Sequence, residues 1–194
     1  SMPPGNSSYP MGPYRFIDRE YFVVIYESDP EAIRRAVPEP LQPDGSNQVF
    51  YEWINMPDSS GFGSYQESGV VIPCRFNGEP VNYTAMMFLN DEPPISAGRE
   101  IWGFPKRWGE PRLRVETDTL TGSLHYAGQL VALGTMAYMA PEQLKGEQVD
   151  ARADIWSIGV IFYELLTTVR PFGGEGYLDV SNAILKGEIR PVSD

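Results

Sequence analysis

The chain has 194 residues but only one cysteine, one histidine and three lysines. A single cysteine excludes an intrachain disulfide framework and a cysteine-built zinc site. It fits a reducing compartment, and a cytoplasmic location is expected. No stretch approaches the roughly 20 apolar residues of a membrane-spanning helix, and no basic-apolar leader opens the sequence. Neither a membrane partner nor secretion is expected. Ser1-Met2 reads as a cloning remnant, and residues 1–9 are expected to be disordered or tag-derived. Positive charge is scarce too: 15 Lys and Arg face 26 Asp and Glu, a formal net charge of -11. Such a balance is a poor start for gripping a phosphate backbone, so no nucleic-acid partner is expected. What remains is 42% hydrophobic with four Trp, enough for one packed globular domain.

The first two thirds read as short strands. Residues 21–27 (Tyr-Phe-Val-Val-Ile-Tyr-Glu) are β-branched and aromatic, as a strand requires. They run into Ser28-Asp29-Pro30-Glu31, where Ser28 or Asp29 caps a short helix and Pro30 enters its first turn. Ala32, Ile33, Ala36 and Val37 form its apolar stripe, and Pro38 stops it. Residues 49–54 and 69–76 are further strands, and Asn77-Gly78 signals a hairpin into residues 81–83. Residues 113–116, 122–126 and 129–138 read as a meander turned at Asp118 and at Ala127-Gly128. Closely spaced strands with turns between them predict an antiparallel sheet or barrel. His125 has no ligand partner nearby and reads as a plain hairpin residue.

The texture changes after about residue 138. Residues 153–167 are apolar nearly all round, the pattern of a buried helix. Residues 177–186 read as a second helix ended at Gly187.

Lys106 is the only lysine in the first 144 residues, and it sits in Ile101-Trp102-Gly103-Phe104-Pro105-Lys106-Arg107-Trp108. An ordinary lysine has a pKa near 10.4, leaving about one amine in 2,500 uncharged at pH 7. Desolvation and a neighbouring like charge both disfavour the ammonium. A pKa of roughly 6 would free nearly all of the amine, a gain approaching about 5 kcal/mol in nucleophile availability. Local composition alone also allows, and favours, a solvated loop lysine beside a surface arginine.

The wider sequence adds to this. Gly12-Pro13-Tyr14-Arg15-Phe16, Asp18-Arg19-Glu20-Tyr21-Phe22, and Val37-Pro38-Glu39-Pro40-Leu41 resemble the acetoacetate decarboxylase family. So do Asp58 to Gly63, Glu67-Ser68-Gly69, Gly98-Arg99-Glu100 leading to Phe104-Pro105-Lys106, and Asp118 to Gly122. The resemblance spans about residues 10–138. It implies that Lys106 is a Schiff-base lysine and that Arg107 stands beside it as a fixed cation where some members carry a second lysine. It also implies that Arg19 and Glu67 line the pocket, with Glu52 as a further pocket carboxylate. The alternative for these three is a structural ion pair, which can coexist with substrate orientation. The implied substrate is acetoacetate or a related small β-keto acid, with no metal or organic cofactor.

From Gly134 the sequence reads Gly-Thr-Met-Ala-Tyr-Met-Ala-Pro-Glu, then Asp150-Ala151-Arg152-Ala153-Asp154-Ile155-Trp156-Ser157. With Pro171-Phe172, this resembles the carboxy-terminal lobe of a protein kinase, Ala140-Pro141-Glu142 matching its A-P-E motif. The sequence contains no V-A-I-K lysine, no H-R-D loop and no D-F-G metal site, so no kinase activity is expected. The expectation is an α+β chain: an incomplete, mainly antiparallel β-barrel or cone over residues 10–138, and a kinase-like helical tail over 139–194. An unclosed sheet leaves unpaired edges, and a homo-oligomer is expected. The competing expectation is a non-catalytic fusion or interaction module whose pocket does not close.

Overall fold

The computed structural model describes residues 8–116, 119–174 and 176–191. Its largest sheet has six strands. β2 (Glu20–Glu27), β4 (Gln48–Met56), β6 (Tyr65–Phe76), β7 (Glu79–Leu89) and β8 (Lys106–Trp108) lie in that order, and β3 (Gln42–Pro43) also pairs with β6. All neighbours are antiparallel except β7 and β8, which run parallel. A second sheet is the meander β9 (Glu110–Glu116), β10 (Thr119–Tyr126) and β11 (Gln129–Thr135). β1 (Phe16–Ile17) and β5 (Asp58–Ser59) form a small ribbon. Among the described residues, the sheets do not close on one another into a barrel.

Local chemistry accounts for most of these elements. Asp29 caps α1 (Pro30–Ala36) by accepting from the Ala32 N–H at 2.8 Å, which satisfies one orphan donor. Asn77 and Gly78 both take positive φ, the conformation a two-residue hairpin demands between β6 and β7. Ala127-Gly128 turns β10 into β11 in the same way. The expected turn at Asp118 lies outside the described residues, as do residues 1–7. The strand expected over residues 129–138 stops at Thr135, and Met136–Tyr138 form a 3-10 turn instead.

The six-stranded sheet has two differently used faces. On one, Trp53 packs with Phe22, Leu113, Met136 and Met139 against the meander. Gly122 and Gly134 permit this, because a Cβ on either would come within 2.3 and 2.8 Å of the Trp53 ring. On the other face, Ile54, Met56, Tyr65, Met87 and Leu89 pack under α2 (Glu92–Ile101) through Ile95 and Ala97.

Beyond the meander come α3 (Pro141–Lys145), α4 (Arg152–Thr167) and α5 (Tyr177–Lys186), the last capped at Gly187 in the left-handed region. The tail is fastened to the sheets: the Gln143 amide donates to the Ile25 carbonyl at 3.0 Å and Arg170 donates to Thr119 at 2.7 Å. α4 contradicts the expectation of a fully buried helix. Ala153 and Val160 are buried, whereas Ile155, Ile158, Ile161, Phe162, Leu165 and Leu166 are exposed. The 3-10 turn, Phe172 and α5 cover one side of α4 and leave the other bare.

Candidate active site

Strand register builds the site. Glu52 on β4 pairs with Gly69 on β6, Gly69 with Met87 on β7, and Met87 with Lys106 on β8. Residues directly opposite one another share a face, so Glu52 and Lys106 stand in one row across the sheet, on the face under α2. Glu67, two residues from Gly69 along β6, shares that face. Its carboxylate accepts from the Lys106 ammonium at 2.8 Å, and the two residues are only 5% and 8% exposed.

Removing one partner of such a buried pair would strand the other charge at a cost of about 3–5 kcal/mol. Tyr65, two residues before Glu67 on β6, lies close enough to feel its charge. Burial pushes the Tyr65 phenol up, and the Glu67 carboxylate pushes it further. Burial likewise raises the Glu52 carboxyl, and the charge of Glu67 adds to it. The Lys106 amine lies 5.8 Å from the Phe104 ring centre. Trp102, Gly103, Phe104 and Pro105 also wall a cleft of about 480 Å³ with Tyr83 and Thr84.

The structure brings Lys106, Glu67 and Glu52 together and sets two other candidates apart. Arg107 follows Lys106 on a strand, where successive side chains point to opposite faces. It is exposed beyond β8, so the expected cation beside the amine does not have that geometry. Arg19 is exposed in the turn between β1 and β2, with its guanidinium 5.8 Å from the Phe16 ring and 5.6 Å from the Tyr21 ring. It is near enough to act electrostatically on Tyr65, but the ion pair forms between Glu67 and Lys106.

Gly98 was within a recognised motif but had no assigned part. A Cβ there would meet Lys106 Cδ at 2.4 Å and Cε at 2.6 Å, so the lysine stem lies directly against the backbone of α2. Among the described residues, no group of three or more His, Cys, Asp or Glu is placed to hold a metal ion.

The family model described as acetoacetate decarboxylase matches residues 1–169. The chain belongs to the acetoacetate decarboxylase family. It is 56% identical to acetoacetate decarboxylase 1 of Bradyrhizobium diazoefficiens over 138 residues, which is 71% of this chain and 55% of that protein. To the acetoacetate decarboxylase of Bordetella avium it is 54% identical over 153 residues, covering 77% and 58%. The crystal structure of acetoacetate decarboxylase from Legionella pneumophila superposes with a TM-score of 0.66 at 43% identity, covering 81% of this chain and 60% of that one. The chain therefore spans a little over half the length of these curated decarboxylases. The family match continues through α4, past the expected boundary at residue 138.

Proposed function

We propose that this chain carries the nucleophile of a β-keto acid decarboxylase, acting on acetoacetate or a close homologue. The observation that supports it most is the buried Lys106–Glu67 pair, 2.8 Å apart on the sheet face beneath Gly98. Glu67 is positioned to take the ammonium proton, and the free amine then attacks the ketone carbon. Loss of water leaves a protonated imine. The bond to the carboxylate breaks, its electron pair flows to the imine nitrogen, and carbon dioxide departs. The resulting enamine takes a proton on carbon, and water hydrolyses the imine to release ketone and restore Lys106. In this scheme Glu52 and Arg19 orient the substrate, and Arg107 has no contact with the amine. The free, buried Cys74 thiol suits a cytoplasmic setting.

The test is incubation with acetoacetate and borohydride, then intact mass and peptide mapping. A reduced adduct on Lys106 is expected. Correctly folded protein with no adduct, or with one only on Lys145 or Lys186, would favour the competing role as a non-catalytic module.

For the tail, the kinase resemblance of residues 139–194 is supported by Ala140-Pro141-Glu142 and by the Asp154-Ile155-Trp156-Ser157 helix, and the segment transfers no phosphoryl group. Its function in this chain is association with a second copy. Ile155, Ile158, Phe162 and Leu165 are spaced by three and four residues, the repeat of a two-helix seam. Gly159 is mid-helix, where glycine costs about 1 kcal/mol relative to alanine, yet a Cβ there would meet nothing within 4 Å. A close helix approach would use that space. Fully burying a large apolar side chain is worth roughly 1.5–3 kcal/mol, or about 60–120 Å² at 25 cal/mol per Å². The exposed set on α4 thus offers several hundred Å², a large part of the roughly 800 Å² per partner of a standard interface.

A further inference from the structure

Arg107 and Arg99 line a cleft of about 520 Å³ together with Trp108, His125, Tyr126 and the Ala127-Gly128 turn. That volume is within the roughly 300–1,000 Å³ range of small-molecule sites. Among the described residues, five of the other ten arginines have a carboxylate partner: Arg35, Arg112, Arg114, Arg152 and Arg170. Among the described residues, Arg99 and Arg107 have no ion pair and no side-chain hydrogen bond. The carboxylate in the cleft, Glu110, is already engaged by Arg112 at 3.5 Å. In a chain of net charge -11, two uncompensated guanidiniums therefore converge on one concave surface. Trp108, 55% exposed, and Tyr126, 44% exposed, supply flat apolar walls beside them.

A guanidinium fork recognises a carboxylate with two parallel hydrogen bonds, and aromatic walls favour a flat apolar body. We propose that this cleft binds a small aromatic carboxylate, held by Arg99 and Arg107, at a site separate from Lys106. Its placement gives it a consequence. α2 supplies Gly98 to the lysine stem and Arg99 to the cleft, while β8 supplies Lys106 to the buried pair and Arg107 to the cleft. A carboxylate bridging the two arginines clamps together the two elements that enclose the amine. The binding itself does not depend on the decarboxylase chemistry.

The test is calorimetric titration with benzoate, with inorganic phosphate as the charge-only probe. Benzoate is expected to bind at a single site, at least tenfold more tightly than phosphate. Arg99→Gln and Arg107→Gln should each weaken benzoate about tenfold or more, the loss expected for a hydrogen bond to a charged group. Trp108→Ala should weaken it as well. Both arginines are exposed without partners, so an unchanged melting temperature in the absence of ligand verifies that the variants fold. Lys106→Gln, which keeps a donor for Glu67, should bind benzoate like the parent. The proposal is overturned if folded parent protein gives no benzoate heat or if phosphate binds as tightly. It is equally overturned if the arginine variants bind unchanged, or if Lys106→Gln alone loses benzoate.

Discussion

The six-stranded sheet and helix α4 invert each other's surface chemistry. The sheet buries a lysine and a glutamate, each less than a tenth exposed, while α4 presents Leu165 at 71% and Leu166 at 83% exposure. Both arrangements carry a cost. Burying a charge pair is repaid only by close geometry and hydrogen bonding, and Glu67 has both in its 2.8 Å contact with Lys106. An exposed apolar face is repaid only by something that covers it. The sheet completes its unusual contact within itself, whereas nothing among the described residues covers the bare side of the helix. The difference separates the site of the proposed chemistry from the surface of the proposed association, and it can be probed from either side.

The largest effect should come from the buried pair. Lys106→Ala and Lys106→Gln should both abolish decarboxylation, since neither retains an amine. They should differ in stability. Lys106→Ala leaves Glu67 without its partner, and about 3 kcal/mol or more is at stake. Lys106→Gln still offers a donor and should melt closer to the parent. Turnover near the parent level in either variant would remove Lys106 from the chemistry. Equal melting temperatures would show that the pair carries little of the fold.

Next is Gly98→Ala. The new methyl would come within 2.6 Å of two carbons of the lysine stem. A side chain can move where a backbone cannot, so the amine should be displaced while α2 persists. Misplacement of about 1 Å can cost 10²-fold, and kcat should fall by about that factor with borohydride trapping slowed in parallel. Unchanged kcat would mean that the position of the amine is not critical.

How much of this was legible beforehand depended on range. The cap at Asp29, the Asn77-Gly78 turn and the Gly187 stop are local, and each is set by residues in immediate contact. α2 was not expected from the sequence; Pro93 and Pro94 stand in its first turn, where prolines are tolerated. The Lys106–Glu67 contact joins residues 39 apart and depends on registers across β6, β7 and β8 that no local pattern specifies. Arg107 failed as a neighbour of the amine for a related reason: β8 has only three residues, too few to show the alternation that turns successive side chains apart. On α4, an apolar pattern on all sides predicted burial on all sides. Sequence records the demand for burial, whereas the rest of the chain determines how much cover exists.

The two sides of α4 allow a third probe. Trp156 stacks on Phe172 with ring centroids 5.4 Å apart, whereas Leu165 is on the bare side. Trp156→Ala should lower Tm by about 4–8 °C, the shift for roughly 2 kcal/mol in a chain of this size, with no change of mass in solution. Leu165→Asp should do the reverse, dissociating the oligomer and sparing most of the protomer's own packing. Multi-angle light scattering and thermal melts on both variants check this. A parent protein that is monomeric at all concentrations would end the two-copy proposal for α4.

The smallest effect, and the one whose sign is most informative, concerns Glu52. Burial and the nearby Glu67 carboxylate hold its carboxyl above the ordinary value of 4.5. The folded chain therefore keeps the Glu52 proton to higher pH than the unfolded chain does. Below the unfolded value both states are protonated and the contribution of Glu52 is fully present. As pH rises from there towards the folded value, the unfolded state ionises first and stability falls; above the folded value the loss is constant. Gln at this position is neutral throughout. Glu52→Gln should accordingly melt like the parent at pH 3, gain on it as the pH rises through the carboxylate range, and hold a small constant advantage at pH 8. A disadvantage at pH 8 would show that a cation stabilises the ionised form of Glu52, with Lys106 the candidate in its own cross-strand row and Arg19 the candidate at the rim. In that case the carboxylate belongs to the charged centre of the site. A small advantage would leave it as a neutral acid beside the Lys106–Glu67 pair, available to donate a hydrogen bond to a substrate carboxylate.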